Sequence, residues 1–185
     1  MKTLNHNSQG FTLVEMTVSL GLFTIIMFIA TSSFLAIVNS DRKSRSVRIA
    51  ADNLNVALED MSRRIKTGTN YYCGAGGDAL NAVQDCIAGG VNTLFFNDQS
   101  NLRVKYTLDG ATHAIMRSVG SEPMIRVTSP EVNVSDLRFL VSGSALTPNT
   151  VQPIVVIGIS GTLGAGAAST TFKIQTTVTQ RVYDN

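Results

Sequence analysis

The chain has 185 residues and a formal net charge of +2 at pH 7, and charged residues make up 15% of it. This balance offers no basic stripe of the kind that nucleic-acid binding requires, so we predict no nucleic-acid partner. After a membrane-length helix at the N-terminus, about 120 residues remain, which is enough for one compact core but hardly for two.

The N-terminus joins a polar leader, residues 1–10, to a long apolar segment that has one carboxylate, Glu15, at its head. Residues 16–38 carry no charge, and at 1.5 Å per residue they form a helix of about 35 Å, enough to cross a hydrocarbon core of about 30 Å. An ionised Glu in hydrocarbon costs about 3 kcal/mol or more, so Glu15 needs a partner or a function.

A secretory signal peptide does not account for this arrangement. Its cleavage site follows the apolar stretch, whereas here the plausible cut, between Gly10 and Phe11, precedes it. The alternative is an uncut signal anchor whose Glu15 lies hydrated near the membrane interface. The basic residues after the span, from Arg42 to Arg48, argue by the positive-inside rule for a cytoplasmic C-terminal side, against an exported domain.

The sequence Gly10-Phe-Thr-Leu-Val-Glu15 resembles the processing site of type IV prepilins and of the pseudopilins of type II secretion systems. The resemblance implies that a prepilin peptidase cuts after Gly10 and methylates the new amine on Phe11. It also implies that Glu15 meets the N-terminal amine of a neighbouring subunit when the helices bundle into a filament. A buried carboxylate becomes tolerable when such a cation neutralises it, and the pairing then sets the axial register of the subunits.

Helix signals continue beyond the membrane segment, through residues 39–67. Apolar residues recur at steps of three and four, and opposite charges lie four residues apart, Asp60 and Arg64 among them. We therefore predict one long helix over residues 11–67, with residues 11–38 in membrane or filament core. A dimeric coiled coil is the alternative for the second half. The apolar positions of residues 39–67 that follow this spacing are Val47, Ala51, Leu54, Leu58, Met61 and Ile65.

Major pilins usually carry a helix-breaking Pro in the apolar segment, and Thr31-Ser-Ser33 at this place favours a minor pilin or pseudopilin.

Residues 68–92 are predicted to form a Gly-rich loop that contains both cysteines, Cys73 and Cys86. In an oxidising compartment two such cysteines favour a disulfide, and closing a ring of about 14 residues would stabilise the fold by about 3 kcal/mol. Free thiols are the alternative. Asp78 and Asp85 flank the Gly-rich loop and could hold Ca²⁺, but no regular array of acidic ligands accompanies them, so we predict no metal and no cofactor.

Residues 93–185 are predicted to form a globular β-sheet domain. An Asp109-Gly110 turn indicates one hairpin, and the last two strands form the clearest pair. The run at 154–157 lacks alternation and predicts a strand covered on both faces. The fold class is therefore α+β and pilin-like: a long N-terminal helix, its first half transmembrane, packed on a mainly antiparallel β-sheet. The predicted strands are 93–96, 102–108, 114–119, 124–128, 136–141, 154–163 and 170–182, with a further turn at 164–166.

Catalytic signals are weak, because His113 has no nucleophile or acid beside it in any recognisable motif. The order of the C-terminal segments resembles J-type minor pseudopilins and W-type minor pilins. The favoured function is a structural subunit at the tip of a type II secretion pseudopilus or type IV pilus, not an enzyme. Its partners would be the prepilin peptidase, other minor subunits and the major subunit. It would be single-pass in the bacterial inner membrane, with its C-terminal domain in the periplasm or outside the cell.

Two other functions stay open. One is a single-pass, membrane-anchored periplasmic binding or sensor protein with an uncut anchor. The other is a periplasmic enzyme, which would require a cleft with paired titratable groups near His113.

Overall fold

The computed structural model describes residues 10–144, 151–164 and 169–181. The leader before Gly10, most of the predicted turn at 164–166 and the predicted strand end at Val182 lie outside the described residues. The described elements are α1 (Leu13–Lys66), β1 (Thr69–Cys73), β2 (Cys86–Val91), β3 (Thr93–Asn97), β4 (Arg103–Asp109), β5 (Ala114–Val119), β6 (Ile125–Arg126), β7 (Val132–Ser142), β8 (Ile154–Leu163) and β9 (Thr170–Thr179).

The chain divides into two compact units, residues 1–42 and residues 43–185. The described part of the first unit consists almost entirely of α1, whose side chains there are exposed. The second unit holds the rest of α1 and all nine strands.

In the second unit, α1 buries one stripe of side chains against the sheets. Leu54, Leu58, Met61 and Ile65 are buried, as their spacing predicts. Val47 and Ala51 are only partly buried, and the small residues Ala50 and Ala57 join the stripe instead. The stripe packs on the sheets of its own chain, so the coiled-coil alternative is not needed to explain the pattern.

The C-terminal end of α1 is closely capped, which satisfies carbonyl groups that a helix end leaves without partners. The Gly68 amide donates to the Ile65 carbonyl at 3.0 Å, and the Tyr71 hydroxyl lies 2.6 Å from the same oxygen. The Arg181 amide donates to the Lys66 carbonyl at 2.8 Å. A Cβ at Gly68 would lie 2.5 Å from the Phe96 ring, so only glycine fits at this end.

The first sheet has five antiparallel strands in the order β1-β3-β4-β5-β6. The predicted hairpin is confirmed, since β4 pairs with β5 from Asp109 and Ala114 onward. The predicted strand at 124–128 is wrong in length, because only two residues pair. Pro123 and Pro130 flank this short strand, and proline cannot donate to a β-ladder.

The second sheet has four antiparallel strands in the order β2-β7-β8-β9. The predicted pairing of the last two strands is confirmed over ten residues. The prediction that 154–157 is covered on both faces is wrong, because burial alternates along β8: Val155 and Ile157 are buried whereas Ile154 is exposed. Opposite β8, the bulged strand β7 approaches so closely that a Cβ at Gly161 would clash with the Asn133 carbonyl.

Both sheets and α1 share one hydrophobic core, which confirms the α+β, pilin-like fold. Outside that core, Asp60 of α1 is bound to the first sheet by Arg117 of β5 at 2.7 Å and also accepts from Arg64 at 3.0 Å. The core residues include Leu54, Met61 and Ile65 of α1, Tyr71, Leu94, Phe96, Val104, Tyr106 and Ile115 of the first sheet, and Val132, Leu137, Phe139, Val141, Val155 and Ile157 of the second.

The segment predicted as a Gly-rich loop, residues 68–92, contains two strands, β1 and β2, that belong to different sheets. Cys73 at the end of β1 and Cys86 at the start of β2 form a disulfide, with their Cα atoms 5.8 Å apart. The predicted disulfide is thus present, and it joins the two sheets. Only the residues between the cysteines form an irregular loop, with a single turn-like parallel bridge between Tyr72 and Gln84.

A buried arginine organises this loop, a role that the sequence reasoning missed. Arg103 of β4 donates from Nε to the Gly77 carbonyl at 2.6 Å, and from Nη2 to the Ala82 carbonyl at 3.0 Å. Its Nη1 donates to the Asn70 carbonyl at 2.7 Å and to Asn97 Oδ1 at 2.8 Å. Burial lowers the pKa of the Arg103 guanidinium, and the Asp78 carboxylate nearby opposes that shift. The loop is therefore held from inside by one cation.

The disulfide predicts a measurable share of stability. We expect the double variant Cys73→Ser/Cys86→Ser to lower the free energy of unfolding by about 3 kcal/mol, since the ring spans 13 positions of sequence. Urea unfolding of the full chain in detergent micelles, followed by circular dichroism, would measure the loss. Reduction of the unsubstituted chain should reproduce it. Identical unfolding midpoints with and without reductant would contradict the prediction.

Arg103 is expected to matter as much as the disulfide. Arg103→Met leaves several buried acceptors without a donor and should lower the free energy of unfolding by about 3 kcal/mol. Amide hydrogen exchange should quicken selectively within residues 74–85. Arg138→Met is the matched control, because the Arg138 side chain is 56% exposed, its bond to the Gly89 carbonyl is at the surface, and its ion pair with Asp136 contributes about 0–1 kcal/mol. Equal effects of the two substitutions would refute the role assigned to Arg103.

Candidate functional site

The start of α1 brings the sequence-predicted residues Gly10, Phe11 and Glu15 together. Thr12 begins the helix: its side-chain oxygen accepts from the Glu15 amide at 3.3 Å, and its carbonyl accepts from the Met16 amide at 3.2 Å. Thr12-Leu-Val-Glu15 has the spacing of a capping box, in which a threonine and a glutamate satisfy free amides of the first turn. The sequence reasoning missed this signal, although it can be read directly from the residues.

The position of Glu15 at the helix start favours its charge, besides the predicted function. Glu15 lies in the first turn of α1, where the positive end of the helix dipole favours a carboxylate. The side chain is exposed and so is accessible to another molecule. A test of an intersubunit function must separate the charge of Glu15 from its contribution to the helix start.

The predicted cleavage site is accessible. Gly10 and Phe11 precede the helix, and the Phe11 side chain is 74% exposed. A Cβ added at Gly10 meets no atom within 4 Å. Substituting alanine at Gly10 thus leaves the surrounding structure unchanged, and any effect on cutting would come from the peptidase.

The first half of α1 presents apolar side chains on all sides. An 18-residue window has a mean hydropathy of 2.2 and none of it is buried, so by length and composition the helix can cross a membrane. The hydroxyls of Thr17, Thr24, Thr31 and Ser32 donate to carbonyls three or four residues earlier. These bonds give the hydroxyl groups the hydrogen-bond partners that surrounding hydrocarbon cannot supply. The large apolar side chains that are more than half exposed are Leu13, Val14, Met16, Val18, Leu20, Leu22, Phe23, Ile25, Ile26, Met27, Phe28, Ile29, Phe34, Leu35 and Ile37.

The other candidate residues lie elsewhere and apart from one another. His113 is exposed in the turn between β4 and β5, with a positive φ of 49°, which is unlike the cleft that an enzyme would need. The Asp85 carboxylate accepts from the amides of Gly143 and Ser144, whereas Asp78 lies near Arg103. Within the described ranges, no three His, Cys, Asp or Glu side chains gather in a way that could hold a metal ion.

Comparison with known proteins gives one match. Residues 5–31 match the family model for the prokaryotic N-terminal methylation motif. No curated protein and no solved structure matches the chain. The matched segment includes the Gly10-Phe11 junction, Glu15 and most of the exposed apolar part of α1. The match covers this N-terminal segment alone, and it supports a prepilin-type N-terminus.

Proposed function

We propose that this chain is a minor pseudopilin or minor pilin, a structural subunit rather than an enzyme. A prepilin peptidase cuts it between Gly10 and Phe11 and methylates the Phe11 amine. The N-terminal helix then leaves the inner membrane to join other minor subunits and the major subunit, at the tip of a type II secretion pseudopilus or type IV pilus. The C-terminal domain lies in the periplasm or outside the cell.

The observation that carries this proposal is the exposed apolar surface of α1 inside a methylation-motif segment. Burying one such side chain contributes about 1.5–3 kcal/mol. The fifteen large apolar side chains exposed on the first half of α1 are therefore not surrounded by water in the cell. Lipid covers them before assembly, and the helices of neighbouring subunits cover them afterwards. An uncut sensor would need only the lipid.

Glu15 supports the second environment, in which the helices of neighbouring subunits cover α1. A carboxylate that enters a bundle of apolar helices needs a cation close by, and the Phe11 amine released by cutting is such a cation. The bond from the Glu15 amide to the Thr12 side-chain oxygen fixes the start of α1, so Glu15 lies in its first turn. The carboxylate of one subunit is thereby positioned for the amine of the next.

The second unit offers an apolar surface of its own to sibling subunits. Ile49 and Val56 are 51% and 68% exposed, and their spacing of seven places them on one face of α1. Val56 also lines an open groove of about 550 Å³, with Ile125 on the opposite wall. The unbroken course of α1 from Leu13 to Lys66 favours a minor over a major subunit.

Cutting is tested with Gly10→Ala. We expect the full chain, co-expressed with a prepilin peptidase, to lose the mass of residues 1–10, and the Gly10→Ala variant to stay uncut because the peptidase reads the glycine. Intact-mass spectrometry of the membrane fraction measures this. Gly21→Ala is the matched control, since a Cβ there also meets no atom within 4 Å. An uncut wild type, or a normally cut Gly10→Ala chain, would favour the anchored sensor.

Assembly is tested with Glu15→Gln. Glutamine serves in a capping box as glutamate does but has no charge. We expect normal cutting and about tenfold weaker co-purification with sibling subunits, the effect of losing about 1.4 kcal/mol.

Thr12→Ala is the control for the preceding prediction, because it breaks the cap and keeps the charge. It should reduce co-purification much less than Glu15→Gln does. If Thr12→Ala alone abolished assembly, Glu15 would act through the helix start and the pairing with an amine would be wrong.

A further inference from the structure

We propose that the outer edge of β9 accepts an extended, acidic segment of another protein, which adds a fifth strand to the second sheet. This inference goes beyond the proposed function and does not depend on leader cutting or helix bundling. It rests on the state of the four sheet edges, on a groove beside β9 and on the charges around that groove.

Three of the four sheet edges are closed to a further strand. The edge strand β6 has two residues. At β1, Gln84 already bonds the strand, accepting from the Cys73 amide at 3.1 Å and donating to the Tyr71 carbonyl at 3.0 Å. In β2, Gly89 and Gly90 both have positive φ and the register shifts, so the edge is irregular. Short, covered or irregular edges are how proteins prevent unwanted pairing.

The edge of β9 itself has none of these features, and α1 meets it only beyond the strand, where the Arg181 amide donates to the Lys66 carbonyl. The strand pairs with β8 over ten consecutive residues without a register shift and contains no proline. No residue in the described ranges pairs with its other edge. A long, regular, open edge supplies a row of backbone donors and acceptors for strand addition.

The direction of these backbone groups follows from the end of the strand. The Gln180 amide donates to the Pro153 carbonyl at 3.0 Å, so the backbone of Gln180 points toward β8. Backbone groups alternate in direction along an antiparallel strand, so those of the odd-numbered residues point outward. The outward-facing residues are Thr171, Lys173, Gln175, Thr177 and Thr179.

A groove of about 540 Å³ lies between this edge and α1. Its walls are residues 176–179 of β9 and Glu59, Ser62, Arg63 and Lys66 of α1. An added strand would lie about 4.8 Å from β9 and place alternate side chains against α1. The groove provides room at the same edge that provides the hydrogen-bonding groups.

Charge decides what kind of segment fits. Arg63, which is 79% exposed, and Lys66 face the groove from α1, while Lys173 and Arg181 are exposed on and after β9. Glu59 is the acidic residue of the groove wall, and Asp60 lies 3.7 Å from Arg63. The excess of positive charge favours an acidic partner. It disfavours a second copy of this chain, whose β9 edge would bring the same cations.

The test uses the full chain in detergent micelles and two blocked eight-residue peptides, one alternating glutamate with valine and one alternating lysine with valine. We expect the glutamate peptide alone to slow amide hydrogen exchange at the outward-facing residues of β9 by about tenfold or more. The protection should weaken as ionic strength rises.

Two variants sharpen the test. Gln175→Pro removes an outward amide that β8 does not use, where an edge strand tolerates proline, and should abolish the protection. Gln175→Thr keeps the amide and should retain it. If the proline variant unfolds, the double variant Arg63→Glu/Lys66→Glu replaces it, and should lower affinity for the glutamate peptide about tenfold and raise it for the lysine peptide.

Three results would overturn the proposal. They are the absence of protection by the glutamate peptide, equal protection by both peptides, and protection that grows with protein concentration without peptide, which would identify a second copy as the occupant.

Discussion

The burial of one stripe of α1 is the contact on which the globular part of this protein depends. Leu54, Met61 and Ile65 belong to the same core as residues of both sheets. Without the helix, the inner faces of two sheets would lose their common cover. Ala50 and Ala57 bring the backbone of α1 close to the strands, because their small side chains occupy little space. The five-stranded and four-stranded sheets are therefore joined by this helix, by the Cys73–Cys86 disulfide and by their shared core, and the Val134 amide also donates to the His113 carbonyl at 2.8 Å.

Polar contacts fix the direction of that helix against the sheets. Arg117 bonds Asp60 from β5, while the amide of Arg181, just beyond β9, bonds the last carbonyl of α1. One contact comes from the first sheet and the other from the end of the second. Apolar packing tolerates small sliding motions, whereas hydrogen bonds depend on distance and angle. The two polar contacts therefore hold the helix at one position along its axis.

Much of the fold could be predicted because the signals were periodic or local. The stripe of α1, the Asp109-Gly110 hairpin and the pairing of β8 with β9 follow from spacing within short windows. Strands β1 and β2 were not predicted because their segment is rich in glycine and polar residues. Their strand conformation depends on hydrogen bonds to β3 and β7, which no local pattern reveals. The pattern of β8 misled because apolar residues also occupy its outer face, where Ile154 is exposed and Val156 is only partly buried. In the candidate site, Gly10, Phe11 and Glu15 were recognisable from the motif, and Thr12 should have been. Arg103 could not be predicted, because its acceptors are carbonyls brought together by tertiary structure.

The carbonyl acceptors around Arg103 have a consequence for how the loop between the cysteines responds to acid. A peptide carbonyl does not titrate, and a guanidinium keeps its proton through the whole range in which carboxylates change charge. Burial lowers the pKa of Arg103, but from a value far above the range in which carboxylates titrate. The bonds from Arg103 to Gly77, Asn70 and Ala82 therefore persist in acid, where a loop held by carboxylates would loosen. The contacts that Arg103 makes with this loop therefore do not depend on the charge of any carboxylate.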